Sequence, residues 1–408
     1  MKQIPGGICA AKGFRAAGLR AGIKPSSPAG KNDLGLIAAD VPCAAAGVFT
    51  TNVVKAAPVL LDREQLKDGT AQAVIANSSI ANACAPEGDA ISRKEAALVS
   101  EAMHLDASDV LVSSTGVIGV RLNVEAIEAA LPDLVEKLDC SAEASDAFAT
   151  AIMTTDTVKK EIAFEFDLDG TTAHIGGVSK GSGMIHPKMG TMLCYLTTDA
   201  AISAELLDKA LRDVVGKTFN RISVDGDMST NDTCIVLASG LAGNVCIAAE
   251  GEDYQAFRNA LYEVCLYLCR LMAKDGEGAT HLMTCTVSGA ADEASAETLA
   301  KSVINSSLTK AAIFGADANW GRVICAMGYS GVAFDPDKVS IAFASEKGEV
   351  AVCENGRGLD FSEDLAKEVL QEEEVIIRIS MEEGEAEATC WGCDLTYDYV
   401  KINGDYRT

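Results

Sequence analysis

A chain of 408 residues with 48% apolar content can bury one large core or two ordinary ones, and its 23% charged residues are those of a folded globular protein. A formal net charge of −25, with no lysine- and arginine-rich run, opposes binding to nucleic-acid phosphates or anionic membranes. No apolar run approaches the roughly 18 residues of a membrane span, and the start MKQIPGGICAAKGF lacks the apolar core of a secretion signal. The reading is a cytoplasmic protein whose 14 cysteines stay reduced.

In chain order, DLGLIAADVPCAAAGVFTTN (33–52) and AQAVIANSSIANAC (71–84) read as strands broken by small-residue turns, and DAISRKEAALVSEAMHL (89–105) as a helix. DVLVSSTGVIG (109–119) is a short buried strand ending in a Thr115–Gly116 turn, where backbone N–H groups and a hydroxyl can serve an oxyanion. EIAFEFDLDGTTAHIGGVSK (161–180) predicts a hairpin that turns at Asp169–Gly170. Ser203 predicts the cap of a helix with Leu207, Leu211, Val214 and Val215 on one face. A longer helix over 253–274 aligns Phe257, Leu261, Val264, Leu268 and Met272, and Lys274, Asp275 and Gly276 close it. Strands and helices interleave without strict βαβ spacing, and no glycine-rich dinucleotide or phosphate loop occurs, so layered α/β sheets covered by helices are expected.

Two patterns fail as metal sites. VDGDMSTND (224–232) looks like a calcium loop, but Thr230 and Val236 stand where an EF-hand starting at Asp225 needs glycine and glutamate, which leaves a polar turn. CWGC (390–393) has the spacing of a redox dithiol or half a zinc site, yet Cys265 and Cys269, the nearest second pair, lie in the apolar stripe of the long helix. No metal is expected.

KGSGMIHPKMGTMLCYLTTDA (180–200) carries the most chemistry. Small and breaker residues lead to Gly190, then Thr191, and the sequence turns at once into an apolar strand. A threonine hydroxyl needs a base, and none of the 4 histidines sits in a familiar nucleophile motif; His186 is close in sequence only. If the chain is cut before Thr191, its new α-amino group, with a pKa of roughly 7.7–8.0, can take the hydroxyl proton. The hydroxyl can also make that cut by attacking the preceding carbonyl, which suits a small residue such as Gly190.

KGSGMIHPKMGTML resembles the self-cleavage segment of the ornithine acetyltransferases, or glutamate N-acetyltransferases, of arginine biosynthesis. KGFRAAGLRAGIK, GVFTTNVVKAAPV (47–59), SSTGVIG, TTDT (154–157), FNRISVDGDMSTND (219–232), DGEGAT (275–280), FGADANWGR (314–322) and the closing WGCDLTYDYVKINGDYRT match in order, so the resemblance covers essentially the whole chain. It implies a layered α-β-β-α sandwich of the N-terminal-nucleophile type with a second, smaller α/β lobe. Cleavage between Gly190 and Thr191 would give an N-terminal chain of 1–190 and a C-terminal chain of 191–408, two of each forming a heterotetramer. Thr191 would be the nucleophile, acetylated by N-acetylornithine and relieved by glutamate in a ping-pong cycle, with Thr115 and Gly116 as the oxyanion hole. Thr154, Lys180, Glu277, Asn403 and Thr408 would join Thr191 in holding substrate, a basic and an acidic group suiting the carboxylate and ammonium of ornithine. No cofactor is implied, and acetyl-CoA stays open as a second donor. The chain departs from the family pattern at Gly190 (usually alanine), Ser79–Ile80 (usually Gly–Asn), His281 (lysine) and Cys390 (alanine). Two alternatives remain: a terminal-threonine aminopeptidase or amidase that passes the acyl group to water, and an uncut, non-catalytic amino-acid-binding protein.

Overall fold

One strand organises the first lobe. In the computed structural model, which describes residues 1–24, 30–186 and 192–405, the segment expected as broken strands is a single 16-residue strand, Leu34–Phe49. Elements are numbered along the chain: β1 (Lys2–Ile4), β2 (Phe14–Leu19), β3 (Leu34–Phe49), α1 (Ala57–Gln65), β4 (Thr70–Asn77), α2 (Gly88–Met103), β5 (Val110–Ser114), α3 (Val124–Glu136), α4 (Ala142–Ala151), β6 (Lys160–Leu168), β7 (Thr171–Lys180), β8 (Leu193–Thr198), α5 (Ala204–Lys217), β9 (Ile222–Ser223), β10 (Thr233–Ala238) and α6 (Glu252–Lys274). Among the described residues, nine of these strands form one sheet in the order β1-β6-β7-β8-β10-β3-β4-β5, with β2 also on β3.

Strand alternation shows how this sheet folds on itself. Odd positions of β3 (Ile37, Ala39, Cys43, Ala45) all enter one inner core, with Val178, Leu193, Tyr195, Ile235 and Leu237 from β7, β8 and β10. Even positions divide: Leu34 and Leu36 pack with Val99 of α2 and Leu131 of α3, whereas Ala46 and Val48 pack with Leu207 and Leu211 of α5. The strand therefore begins in one layer and ends in the other, with a register shift between Ala38 and Cys43 where it bends. The result is the expected order of helices, sheet, sheet, helices. The small alanines that looked like turns are what lets two layers approach closely across it. Helix α4 closes an edge of the inner core, where Phe148 meets Tyr195 edge-to-face at 5.3 Å.

The expected local signals recur. Ser203 Oγ accepts the Leu206 N–H at the start of α5, and Leu211, Val214 and Val215 are fully buried. Truncating Leu211 to alanine should cost about 2–5 kcal/mol. β6 and β7 form the hairpin about Asp169–Gly170.

The second, smaller lobe runs through β11 (Leu282–Ala290), α7 (Glu293–Asn305), α8 (Ser307–Phe314), α9 (Trp320–Gly328), β12 (Ser340–Ser345), β13 (Gly348–Glu354), β14 (Arg357–Gly358), α10 (Glu363–Leu370), β15 (Glu374–Ser380), β16 (Ala386–Cys393) and α11 (Tyr397–Asp405). Its sheet, in the order β14-β13-β12-β15-β11-β16-β9, borrows β9 from the first lobe and buries one face under α7 and α10. The CWGC pair lies in β16. Residues three apart in a strand point to opposite faces, and Cys390 and Cys393 indeed enter different cores. Burial pushes the Cys390 thiol up to about 12, so neither a dithiol nor a half-site forms there. Among the described residues, no helix is long and apolar enough to cross a membrane.

Candidate active site

A cavity of about 160 Å³ opens where the two lobes and the ends of several strands meet. Its lining includes six of the residues singled out above: Thr115, Gly116, Thr154, Lys180, Glu277 and Asn403. Met192 and Leu193, which follow the expected junction, line it too. Gly190, Thr191 and Thr408 lie outside the described residues.

Thr115 and Gly116 follow β5 directly. The Thr115 N–H donates to Asn77 O at 2.9 Å, and the Val117 N–H to Ser79 O at 3.0 Å, which pins the turn to the loop after β4. The backbone N–H of Thr115 is thus already used, a correction to the expectation of several free backbone donors. Thr115 and Gly116 both line the cavity. Gly116 has φ +126°, and a Cβ there would lie 2.2 Å from the Ser79 carbonyl carbon, so no other residue fits without moving the loop. Ser79 itself has φ +102°, a conformation that glycine adopts far more easily. The departure at this position is a strained one.

Asn231, at the approach to β10, braces both sheet layers. Its Nδ2 donates to Ala81 O at 2.6 Å and Ser114 O at 2.8 Å, and the Thr230 hydroxyl donates to its Oδ1. Asp225, from the segment read as a polar turn, also has a task. Its carboxylate accepts the N–H groups of Met184 at 2.7 Å and Ile185 at 3.0 Å, fixing the chain just before the expected junction. His186 Nδ1 lies 3.2 Å from Ser223 Oγ, and burial, aided by Lys301, pushes its imidazole below the usual range.

Lys180, at the end of β7, and Glu277, just after α6, supply opposite charges. Burial pushes the Lys180 ammonium below its ordinary pKa and Lys160 adds to this, while Asp156, Glu277 and Asp232 oppose it. Glu277 is held by its N–H to Ser182 O at 2.8 Å and by Asn403 Nδ2, which donates to Oε2 at 2.8 Å. Gly183 leaves room for that carboxylate, since a Cβ there would come within 2.4 Å of it.

Behind these groups sits a buried ion network that the sequence reading missed. Lys160 donates to Asp156 Oδ1 at 2.7 Å and to Asp275 Oδ2 at 2.6 Å. Asp156 also accepts the N–H groups of Thr154 and Gly181, and Asp275 accepts the N–H and hydroxyl of Thr157. Burial raises the Asp156 carboxyl, but Lys180 and Lys160 outweigh it and hold the group well below the usual carboxylate range. One signal was legible. Lys160 occupies the same strand face as Ile162, Phe166 and Leu168, where a charge must find a partner.

The described residues hold no group of three or more histidine, cysteine, aspartate or glutamate side chains suited to a metal ion. What the cavity offers instead is the Thr115–Gly116 turn, a cation in Lys180 and an anion in Glu277, with Met192 beside them. A family model described as the ArgJ family matches residues 15–408.

The chain belongs to the ArgJ family.

It is 51% identical, across all of both chains, to the arginine biosynthesis bifunctional protein ArgJ of Caldanaerobacter subterraneus subsp. tengcongensis, and 49% identical over the same full coverage to that of Symbiobacterium thermophilum. Among solved structures, it resembles an ArgJ from Bacillus halodurans, 44% identical, with a TM-score of 0.49 over 52% of this chain and 98% of that one. It also resembles an ornithine acetyltransferase complexed with ornithine from Mycobacterium tuberculosis, 43% identical, with a TM-score of 0.42 over 45% of this chain and 95% of that one. ArgJ-family membership thus rests on the whole chain rather than on the threonine segment alone.

Proposed function

We propose that the protein moves an acetyl group from N2-acetylornithine to glutamate, giving ornithine and N-acetylglutamate, through an acetyl ester on Thr191. Membership of the ArgJ family makes it an acyltransferase of arginine biosynthesis. The observation that carries the finer reading is the convergence of Thr115, Gly116, Thr154, Lys180, Glu277 and Asn403 on one cavity beside Met192.

In this reading the chain first cuts itself between Gly190 and Thr191. The freed α-amino group takes the Thr191 hydroxyl proton as the oxygen attacks the acetyl carbonyl of N-acetylornithine. The Gly116 N–H and Thr115 hydroxyl stabilise the resulting oxyanion, each such donor contributing about 3–4 kcal/mol to the transition state. Collapse of the tetrahedral intermediate expels ornithine, whose amine takes the proton back. Glutamate then enters, and its neutral amine attacks the ester. Lys180 pairs with the substrate carboxylate, Glu277 with the ornithine ammonium, and Asn403 keeps the Glu277 carboxylate turned into the cavity; Thr154 and Thr408 complete the binding set. The acetyl group rides on the protein, so no metal or organic cofactor takes part. Two cut pairs make up a cytoplasmic heterotetramer.

Mixing purified protein with labelled N-acetylornithine and glutamate tests this. Label should appear in N-acetylglutamate; release as free acetate would instead assign a hydrolase of the amidase kind, and recovery of all label in the donor a binding protein. Acetyl-CoA replaces acetylornithine in a parallel reaction to settle whether it is a donor.

A further inference from the structure

Lys160 lines no part of the cavity, yet it joins the two segments that carry the cavity's charges. Its ammonium is fully buried between Asp156 and Asp275. On one side, Asp156 accepts the Gly181 N–H at 2.7 Å and stands 4.0 Å from the Lys180 ammonium, so its position sets the end of β7. On the other side, Asp275 lies two residues before Glu277 and binds the Thr157 backbone and hydroxyl. The Thr155 and Ser182 hydroxyls, 2.7 Å apart, and the Glu277 N–H to Ser182 O close the same loop.

Resting on the acetyl-transfer reading, we infer that Lys160 is a positioning residue: clamped between Asp156 and Asp275, it fixes the spacing of Lys180 and Glu277 and thereby the fit of the substrate's carboxylate and ammonium. The charge count supports this. Two buried carboxylates need two cations. With Lys160 gone, Lys180 becomes the nearest counterion for both and is drawn from the cavity wall toward them. Among the described residues, the charged groups that act on Lys180 are Asp156, Lys160, Glu277 and Asp232, and of these Lys160 opposes its charge. Removing it leaves three carboxylates around Lys180, which makes that ammonium harder to deprotonate.

Two variants test the inference, Lys160→Met and Thr157→Val, the second removing the hydroxyl bond to Asp275 without deleting a charge. Steady-state transfer from N-acetylornithine to glutamate is measured across pH. For Lys160→Met, KM for N-acetylornithine should rise roughly tenfold or more while kcat stays within about threefold. The alkaline limb of kcat/KM should move to higher pH, a shift that a packing defect would not produce. Thr157→Val should raise KM roughly threefold, with kcat unchanged. If Lys160→Met gives no soluble protein, Thr157→Val decides alone. An active parent with KM unchanged in the variants, or with kcat alone reduced, overturns the inference and leaves the acetyl-transfer reading standing. A parent without transfer overturns both.

Discussion

Replacing Gly116 with alanine puts the smallest possible group into the tightest place beside the cavity. The new Cβ would lie 2.2 Å from the Ser79 carbonyl carbon, 2.3 Å from its oxygen and 2.7 Å from the Ile80 nitrogen. Ordinary contacts of this kind begin near 3.4 Å, so either the Ser79–Ile80 backbone or the Thr115–Gly116 turn must shift by about 1 Å. Both choices carry the Gly116 N–H away from the place proposed for the oxyanion. Loss of one such donor lowers kcat by about 10²–10³, whereas KM should change little because the donor acts on charge that exists only in the transition state. Gly119→Ala is the control. Its φ is +82°, but nothing lies within 4 Å of the added methyl, so it carries only the left-handed backbone penalty of about 1–2 kcal/mol. Initial rates of acetyl transfer, measured on soluble protein, decide the matter. A Gly116→Ala enzyme within about threefold of the parent kcat, or a Gly119→Ala enzyme as impaired as Gly116→Ala, would refute the assignment of this turn to the oxyanion.

Other outcomes follow from the same structure. Ser79→Gly should stabilise the protein by about 1 kcal/mol, read as a higher thermal midpoint, because glycine relieves the φ of +102°; a lower midpoint would show that the serine side chain matters more than the strain. Burial raises the carboxyl of Glu95, with Asp62 adding to it, and both Glu95 oxygens lack a partner among the described residues. A carboxyl with a raised folded-state pKa favours folding most below its unfolded pKa and loses that contribution as pH rises through the folded value. Glu95→Gln should therefore gain stability relative to the parent as pH climbs from about 4 upward, by at most about 1.4 kcal/mol per pH unit, in denaturant titrations. A pH-independent difference would contradict the buried, neutral acid. Cys390→Ser combined with Cys393→Ser should leave transfer insensitive to chelators and thiol oxidants, as in the parent, since the two thiols face different cores; a chelator-sensitive parent would revive the metal reading.

The local features of this chain were legible where one residue type has one physical use. The Ser203 cap, the Asp169–Gly170 turn and the long apolar stripe of α6 all stand within a residue or two of where the pattern puts them. What the alternation of β3 did not reveal is that its two halves serve different layers. Inner residues look alike along the whole strand, and only the partners of the outer ones change. The alanines that suggested breaks are close-packing residues, a role that composition cannot separate from a turn. The charged network was hidden for another reason: Lys160 and Asp275 are far apart in sequence, so each alone reads as a surface charge. Lys160 was the more legible, being the one charge on an apolar strand face. Asp225 fits no calcium-loop spacing, and its actual use, accepting two backbone N–H groups to fix a turn, leaves no periodic mark in the sequence.

Mass spectrometry of the intact protein, denatured seconds after mixing with N-acetylornithine and no glutamate, bears most directly on the proposed acetyl-threonine. Parent protein should give two polypeptides, 1–190 and 191–408, the second heavier by one acetyl group that disappears when glutamate is added. Thr191→Ala should give one unmodified chain. An uncut parent, or an acetyl group that maps to any residue other than Thr191, would contradict the mechanism.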